Sequence, residues 1–512
     1  MKMKKIVKTG LLLLLFGAVS CNDATDIIQD SELGDEAAFQ TVADLQSGLY
    51  GAYSNYAPDA GGNGSGDAIL LNDLFTDNLR KGHDNLGQGS TEYNFIIDPT
   101  TNQAESVWSS RYSTINSVNR VLRALDRIAP NLPVEDEVEI EGGEDVAIED
   151  FPSAMKVKAQ LLALRALSHL DLFEYYTVNY SNASDLSVII MDHVPAIEDQ
   201  LERNTVAEVL AFIKADLAEA ASLIGEANQG DLSVNFINKN TIKAIQARLA
   251  LVSGDYVLAG QLSAELVGDF PLAQPDTYTP MFSRSLGAGE AGELIFSLIR
   301  RPADSDIAAN YYANGVSLAG NPFFEASQQL YDLYDLNGDG SSDDIRRDTN
   351  ITKTQDVDGN DVYLITKYPG TALTPLANDV PIFRSSEFLL IRAEAEARAG
   401  NLIAAANSIK QLTDARYTAD APPTPVFGNV QQALTAILLE RRKEFAFEGH
   451  RYLDLKRLGG ELNIGVSRLD ADAATFAAPK DLLANDHRFT LPIPQSELNG
   501  NNNITQNPGY TN

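Results

Sequence analysis

The 512-residue chain has one cysteine, one tryptophan and five histidines. A single cysteine excludes an internal disulfide and any metal site built from several thiolates. Basic residues are also scarce: 39 lysines and arginines stand against 71 acidic residues, which gives a formal net charge of −32. Such a surface repels phosphate backbones, so the composition argues against a nucleic-acid partner. Apolar residues, at 44% of the chain, are abundant enough to form a large core.

The sequence also lacks the usual catalytic signatures. The five histidines are scattered without a zinc-binding spacing, and there is no nucleophile-elbow motif. The glycine pattern at 287–292 has the dinucleotide-binding spacing, but it precedes a strand-like run instead of leaving a strand to open a helix. The residues therefore specify no reaction.

The N-terminus has the features of an export signal. Basic residues at 2–8 precede an apolar run at 11–16, which is far shorter than the roughly 20 residues needed to cross a membrane. The chain's only cysteine, Cys21, directly follows Ala-Val-Ser, as in a bacterial lipoprotein signal. We predict cleavage before Cys21 and its lipidation, with ordinary secretion and a spare thiol as the alternative. Residues 22–36 hold six acids and no base, which predicts a solvated tether.

The rest of the chain is predicted to be mainly helical. Apolar residues within 160–176 fall on one helical face, and 434–455 has a similar periodicity. Thr205 and Glu208 have the spacing of a helix capping box. Stretches rich in Gly, Asn and Asp separate the helices and predict long loops with a few short strands. Strand-like runs occur at 293–299 and 361–366.

A weak internal repeat predicts how the helices are arranged. Gly254 and Gly400 each begin a similar turn, with an alanine seven residues before and a leucine twelve residues after. Small residues at a helix crossing and glycine at the turn are typical of a tetratricopeptide-type helical hairpin. The two copies are 146 residues apart, so the chain is not an uninterrupted solenoid. We expect a scaffold of helical hairpins with long inserted loops, where binding residues usually lie.

One loop carries part of a calcium-binding pattern. Asp335, Asn337 and Asp339, followed by a turn glycine, fit the first half of such a loop. The twelfth position, which should supply a bidentate acid, is Arg346, and Asp343 and Asp344 are the candidate replacements. Ca²⁺ is thus the one cofactor that the residues indicate, and an acidic turn without metal is the alternative.

Four stretches have a common resemblance. Residues 379–395 read DVPIFRSSEFLLIRAEA, and residues 438–457 read LLERRKEFAFEGHRYLDLKR. They resemble the sequences PVFRYAEVLLIRAEA and ERRxEFxFEGxRxxDLxR of the SusD/RagB family of outer-membrane nutrient-binding lipoproteins. The ending LPIPQSE with QNPGY, and the spacing of Trp108, Tyr112, Ile115 and Asn119, are also similar to that family. The resemblance spans the chain.

The resemblance implies a domain organisation and a function. It divides the chain into a signal peptide (1–20), a lipidated tether (21–40), an N-terminal helical region with tetratricopeptide-type hairpins (41–290) and a C-terminal region (291–512). It implies a surface-exposed, lipid-anchored protein of the outer membrane, without catalytic activity, that captures poly- or oligosaccharide for a SusC-like TonB-dependent transporter. A peptide-capturing, RagB-like subunit is the alternative. A glycan-cleaving lipoprotein is disfavoured because no catalytic constellation is present.

Two loops hold the glycan-binding candidates, by analogy of position with the family. Sugar binding needs aromatic faces for pyranose rings and polar side chains for hydroxyl groups. The candidates are Asp77, Asn78, Arg80 and His83 in the first loop and Tyr311, Tyr312 and Phe323 in the second. A buried loop anchor is the alternative for each. The acidic composition favours a neutral polysaccharide, such as a β-glucan, over a polyanion.

The charged family motif itself predicts structure, not ligand contact. Between 440 and 454, acids and arginines alternate at helical spacing, so we expect arginine–carboxylate pairs to lock this helix against its neighbours. Trp108 has Tyr112 and Ile115 four and seven residues further on, which is the spacing of a buried stripe. We therefore expect Trp108 in the core.

Overall fold

The structure is a computed structural model. It describes residues 34–56, 67–83, 85–128, 151–196, 198–225, 234–282, 292–300, 307–311, 322–334, 338–370, 378–473 and 478–511. The predicted lipidation site Cys21, the ring of Tyr312 and the calcium candidates Asp335 and Asn337 lie outside these residues. Helices dominate and the strands are short, so the predicted mainly α fold is confirmed.

The elements are numbered here in chain order. The helices are α1 (Asp35–Ala38), α2 (Val42–Asn55), α3 (Asp67–Leu74), α4 (Ser90–Tyr93), α5 (Asn102–Ile128), α6 (Phe151–Tyr176), α7 (Val206–Leu223), α8 (Lys239–Val252), α9 (Tyr256–Asp269), α10 (Pro275–Met281), α11 (Gln328–Asp332), α12 (Ile345–Asn350), α13 (Ser385–Arg398), α14 (Leu402–Arg416), α15 (Val430–Glu444), α16 (Arg451–Leu462), α17 (Asp470–Ala473) and α18 (Gln495–Gly500). The strands are β1 (Leu79–Lys81), β2 (Leu294–Leu298), β3 (Phe324–Ala326), β4 (Ile351–Gln355), β5 (Asp361–Ile365), β6 (Val380–Arg384), β7 (Val466–Ser467) and β8 (Asp481–Leu482).

The internal repeat corresponds to two helical hairpins, α8–α9 and α13–α14. Gly254 and Gly400 both have a φ of +81°, a left-handed conformation that favours glycine. In each turn the backbone amide after the glycine donates a hydrogen bond to a carbonyl of the preceding helix. Asp255 N donates to Ala250 O and Asn401 N donates to Glu396 O, both at 2.8 Å. The hairpins share one turn geometry, which confirms the repeat.

The two hairpins lie side by side despite their separation in sequence. Helix α9 packs on α13 so closely that a Cβ at Gly260 would lie 3.0 Å from the Cβ of Ala395. Ala247 and Ala393, the small residues predicted at the crossings, are fully buried. The intervening chain is therefore inserted between hairpins that form one continuous scaffold.

The long helices α5, α6 and α7 pack in sequence and carry the predicted local features. At the start of α7, Thr205 N donates to the Glu208 carboxylate at 2.8 Å and Glu208 N donates to Thr205 Oγ1 at 3.3 Å, which confirms the capping box. Trp108 is 4% exposed and packs against Tyr112 and Tyr176 with ring centroids 4.8 and 4.9 Å away. Its expected place in the core is confirmed.

An ionic network lies at the end of α15. Glu444 accepts hydrogen bonds from Arg346 (3.2 Å), Arg384 (2.9 Å) and Arg416 (2.8 Å), and all four side chains are buried. Burial alone would raise the pKa of Glu444, but the guanidinium groups of Arg416, Arg384 and Arg346 hold it well below its usual value. The arginine–carboxylate pairs predicted for this motif are confirmed, and they connect α12, β6, α14 and α15.

The strands form four two-stranded antiparallel ribbons, in the pairs β1–β3, β2–β6, β4–β5 and β7–β8. The pair β1–β3 joins the two loops that hold the glycan-binding candidates. Just beyond it, Gly82 N donates to Phe323 O at 2.9 Å, and a Cβ at Gly82 would lie only 2.1 Å from Pro322 O. The absence of a side chain at Gly82 thus permits this close approach. None of the described helices is long and apolar enough to cross a membrane.

Candidate functional site

An aromatic surface cluster lies where β1, β3 and the β4–β5 hairpin meet; we call it the aromatic platform. It consists of Tyr331 on α11, Tyr363 on β5, Lys353 on β4, Arg347 on α12 and Arg80 on β1. The Tyr331 and Tyr363 ring centroids are 4.9 Å apart and the planes are inclined by 44°. Tyr331 is partly exposed, whereas Tyr363 is nearly covered by its neighbours. The arrangement leaves the Tyr331 ring partly exposed, with the cationic groups of Arg347 and Lys353 5.8 and 5.9 Å from its centroid.

Strand register places Lys353 at this face. Lys353 and Tyr363 are direct cross-strand partners in the β4–β5 hairpin, so their side chains lie on one face of the ribbon. The Lys353 ammonium is 5.5 Å from the Tyr363 ring centroid and 5.9 Å from that of Tyr331. It also pairs with Asp361 at 2.8 Å. A hydrogen-bond donor and an acceptor therefore border the rings.

Arg80 lies against the Tyr363 ring and is held there by hydrogen bonds. Its Nη2 donates to Glu325 Oε2 at 2.6 Å and to the carbonyl of Asp361, and its guanidinium carbon is 4.7 Å from the centre of the Tyr363 ring. Glu325 also accepts from Tyr363 N at 3.1 Å. Arg80 is thus placed within the predicted site, and in this structure it fixes the position of Tyr363.

His83 and Phe323 lie at the edge of the same region. His83 is exposed, and Phe323 is partly buried beside it through the Gly82–Phe323 hydrogen bond. Hydrogen bonds from Asn360 lower the pKa of Asp356 in the β4–β5 turn. These two candidates therefore lie beside the end of the β1–β3 pair, which also carries Arg80 of the platform.

Asp77 and Asn78 are in the interior, so their assignment as glycan contacts is corrected. Asp77 is 3% exposed and accepts from Arg451 at 2.9 and 3.0 Å, with Arg442 also 3.0 Å away. Burial alone would raise the pKa of Asp77, but Arg442 and Arg451 lower it to about 2. Asn78 donates to Asp73 at 2.7 Å and accepts from Arg442 at 2.9 Å. Both side chains are therefore occupied by hydrogen bonds to arginines of α15 and α16.

Tyr311 is a buried anchor, and its assignment as a stacking residue is also corrected. The side chain is 1% exposed, and its ring packs edge-on against Phe447 with centroids 5.8 Å apart. Burial raises the pKa of its hydroxyl well above the usual value. No face of this ring is available to a sugar. The structure does not describe Tyr312, so the expectation for that residue stays a prediction.

Sequence reasoning missed Tyr331, Tyr363, Lys353 and Arg347. One signal was available, because Asp358-Gly359 between two alternating runs is a hairpin signature. Gly359 has a φ of +82°, as the turn requires. The register that follows sets Lys353 opposite Tyr363. The contact between this hairpin and Tyr331 is tertiary and has no sequence signal.

Of the predicted calcium ligands, only Asp339, Asp343 and Asp344 lie within the described residues. Asp339 is exposed and accepts from Ser341 N and Oγ at 2.9 and 2.7 Å, and Asp343 is partly buried. Arg346, at the twelfth position of the loop, is turned inward and pairs with Asp344 at 2.7 Å, which occupies that carboxylate. In the described ranges, no three His, Cys, Asp or Glu side chains are placed to hold a metal together. Calcium binding stays a prediction.

A polar cavity of about 90 Å³ lies among α6, α8, α15 and α16, and it shares no residue with the platform. Most of its charged side chains are paired across it, as in Arg248–Glu387 at 2.7 Å and Arg441–Asp454 at 2.8 Å. Glu174, also on its wall, is 8% exposed, and burial raises the pKa of its carboxyl to about 8 despite the opposing effect of Arg248. Glu174 is therefore mainly protonated at neutral pH.

We expect Glu174→Gln to change how stability depends on pH. Because its pKa is higher in the folded state than in the unfolded state, Glu174 stabilises the folded state while it is protonated. This contribution is complete below pH 4.5, the ordinary pKa of the group, and is lost as the pH rises through about 8. The free energy of unfolding of the wild type should therefore fall as the pH rises across this window. This group can contribute a slope of at most about 1.4 kcal/mol per pH unit. A glutamine side chain cannot ionise, so the variant should gain relative stability between about pH 5 and 8. Urea unfolding at several pH values checks this, with exposed Glu202→Gln as control; parallel curves for Glu174→Gln and wild type would contradict it.

Comparison with known sequences finds one family along most of the chain. A family model described as the SusD family matches residues 362–510, and one described as starch-binding, associating with outer membrane, matches residues 26–251. The chain is 24% identical, over 559 aligned positions, to SusD-like protein P2 of Formosa agariphila. That alignment covers 99% of this chain and all of the relative.

Solved structures show the same fold. A SusD superfamily protein from Bacteroides vulgatus matches with a TM-score of 0.72 and 23% identity, covering 93% of this chain and 100% of the other. A SusD superfamily protein from Bacteroides thetaiotaomicron matches with a TM-score of 0.71 and 22% identity, covering 91% and 100%. A laminarin-binding SusD-like protein matches with a TM-score of 0.64 and 20% identity, covering 92% and 100%.

Proposed function

Because the chain belongs to the SusD family, we propose that it is a non-enzymatic binding protein that captures a glycan on the aromatic platform. The observation that carries the proposal is the accessible ring of Tyr331 over Tyr363, at the junction of the two predicted binding loops. Pyranose rings present C–H groups that pack on such a face. The laminarin-binding relative with the same fold supports a glycan as ligand.

The charges of the platform favour a neutral polysaccharide. Each cation there has its own carboxylate: Arg80 pairs with Glu325, Lys353 with Asp361, and Arg347 with Asp348 at 2.9 Å. The platform therefore offers no excess positive charge to a uronate or sulfate group, in a chain with a net charge of −32. A neutral glycan can still accept hydrogen bonds from Lys353 and His83 and donate to Asp361.

We expect Tyr331→Ala to weaken glycan binding about ten- to a hundredfold, which is about 1–3 kcal/mol, because it removes the accessible ring. Calorimetry with laminarin, mixed-linkage β-glucan and alginate measures the effect. Tyr331→Phe keeps the ring and should bind within a few-fold of wild type. Tyr256→Ala removes a partly buried tyrosine from α9, away from the platform, and is the control for general damage.

Three results would contradict this assignment. Tight, salt-sensitive binding to alginate alone would exclude a neutral ligand. Full affinity of Tyr331→Ala for a neutral glycan would exclude the platform. Binding of peptides in place of all glycans would favour the peptide-capturing alternative.

We also propose that the protein delivers its ligand to a SusC-like TonB-dependent transporter at the outer membrane. The proposal is supported by family membership and by the family description as associating with outer membrane. Cross-linking in intact cells and gentle detergent extraction should co-purify such a transporter with the tagged protein. Recovery of the protein alone after efficient cross-linking would exclude the complex.

A further inference from the structure

Two side chains are the most exposed of the described Tyr, Phe and Trp residues. Tyr50 is 50% exposed and Phe236 is 36% exposed, and no other described Tyr, Phe or Trp is as accessible. These two rings contact each other, with centroids 5.8 Å apart and planes inclined by 39°. Single exposed apolar residues are common on proteins, but here these two exposed rings, distant in sequence, form one surface.

The helix face around Tyr50 is small and uncharged. The exposed residues of α2 that neighbour Tyr50 are Ser47, Gly51, Ser54 and, two turns before, Ala43. A Cβ at Gly51 would meet no atom within 4 Å, so the space beside the ring is open. The Tyr50 ring therefore projects from a helix face of small, uncharged residues, in a chain in which 21% of residues are charged.

Packing and hydrogen bonds fix the position of Phe236. Tyr53 packs edge-on against Phe236 at 5.9 Å. The Tyr53 hydroxyl donates to Gln160 Oε1 and accepts from Ile237 N, both at 2.9 Å. Asn235 Nδ2 donates to Ser297 O at 3.2 Å. The segment that carries Phe236 is thus fixed on both sides of the ring, which reduces the entropic cost of binding.

We propose that Tyr50 and Phe236 form a second glycan subsite, which stacks pyranose rings of the same neutral polysaccharide; this rests on the function proposed above. The exposed α2 residues beside the pair are uncharged, which suits an uncharged ligand, since no charged group of that helix face has to lose its hydration when the glycan binds. The subsite is built from α2 and the segment before α8, which contribute nothing to the aromatic platform. Two subsites on one chain give a polymer a gain in avidity that a short oligosaccharide cannot have.

The test compares laminarin with a laminari-tetrasaccharide in calorimetry. The double variant Tyr50→Ala/Phe236→Ala should lose about tenfold in affinity for laminarin. Its stoichiometry for the tetrasaccharide should fall from two per chain to one. Tyr331→Ala should also leave one tetrasaccharide site, and combining all three substitutions should remove binding. Val257→Ala, which trims a 74% exposed apolar side chain on α9, is the matched control and should behave as wild type.

The outcomes separate the two proposals. If the wild type binds no glycan, the proposed function fails, and the second subsite fails with it. If Tyr331→Ala weakens binding but the double variant matches the wild type in laminarin affinity and stoichiometry, only the second subsite is overturned. The same holds if the double variant binds glycan normally but no longer co-purifies a transporter, since the pair would then be a protein contact. The substituted side chains are exposed, so circular dichroism should show an unchanged fold.

Discussion

Glu444→Gln is expected to lower the free energy of unfolding by about 3–5 kcal/mol, the usual cost of removing one partner from a buried ion pair. The buried network around Glu444 is balanced. Its cations are Arg346, Arg384, Arg416, Lys367 and Lys443, and its carboxylates are Glu293, Asp344, Glu440, Glu444 and Glu448. Glutamine keeps the size of the side chain but leaves one buried positive charge uncompensated, with little water to screen it.

Urea unfolding followed by the fluorescence of the single tryptophan measures this change, because Trp108 is buried in the other half of the chain and reports global unfolding. Glu461→Gln is the matched control. Glu461 pairs with Arg398 at 2.9 Å, but its side chain is 43% exposed, so its loss should cost less than about 1 kcal/mol. If the two variants are equally stable, the network does not carry the stability that its geometry indicates.

Cys21→Ala is expected to release the protein from membranes completely. The only cysteine directly follows residues that predict an export signal, and we propose that lipidation of Cys21 anchors the protein. Cys21 precedes the first described residue, Gly34. The variant should therefore appear in the soluble fraction with an unchanged circular dichroism spectrum.

Fractionation of cells and a high-salt wash, followed by immunoblotting, distinguish lipid anchoring from adsorption. Ser20→Ala keeps a small residue before the cysteine and is the control that should stay in the membrane fraction. Mass spectrometry of the mature N-terminus should find acyl chains on Cys21 in the wild type. Retention of Cys21→Ala after the wash would show that the anchor lies elsewhere.

Local patterns predicted the scaffold well because neighbouring residues determine them. The Thr205–Glu208 capping box acts within one turn, and Gly254 and Gly400 adopt a left-handed turn that disfavours a side chain. The opposite charges of the 440–454 segment also indicated salt bridges, since buried arginines and acids need partners. Their partners Arg346, Arg384 and Asp77 come from distant segments and could not be read from spacing.

The candidate site was predictable only as a region. The sequence indicated that the loops around residues 80 and 323 would carry function, and the β1–β3 pairing does bring them together. It did not separate ligand contacts from anchors, because Asp77 and Tyr311 have the same composition signals as exposed binding residues. Burial decided these cases, and burial depends on which helices pack above each loop.

By itself, the sequence determined the charge, the single thiol, the helical hairpins and the family motifs. Each of these depends on residue identity or on contacts within a few turns. Only the tertiary structure decided that Asp77 pairs with Arg442 and Arg451, that Tyr331 lies over Tyr363, and that Tyr50 meets Phe236. These contacts join segments that are between 32 and 374 residues apart. The physical reason is that side-chain accessibility is set by the packing of remote elements, which local periodicity does not encode.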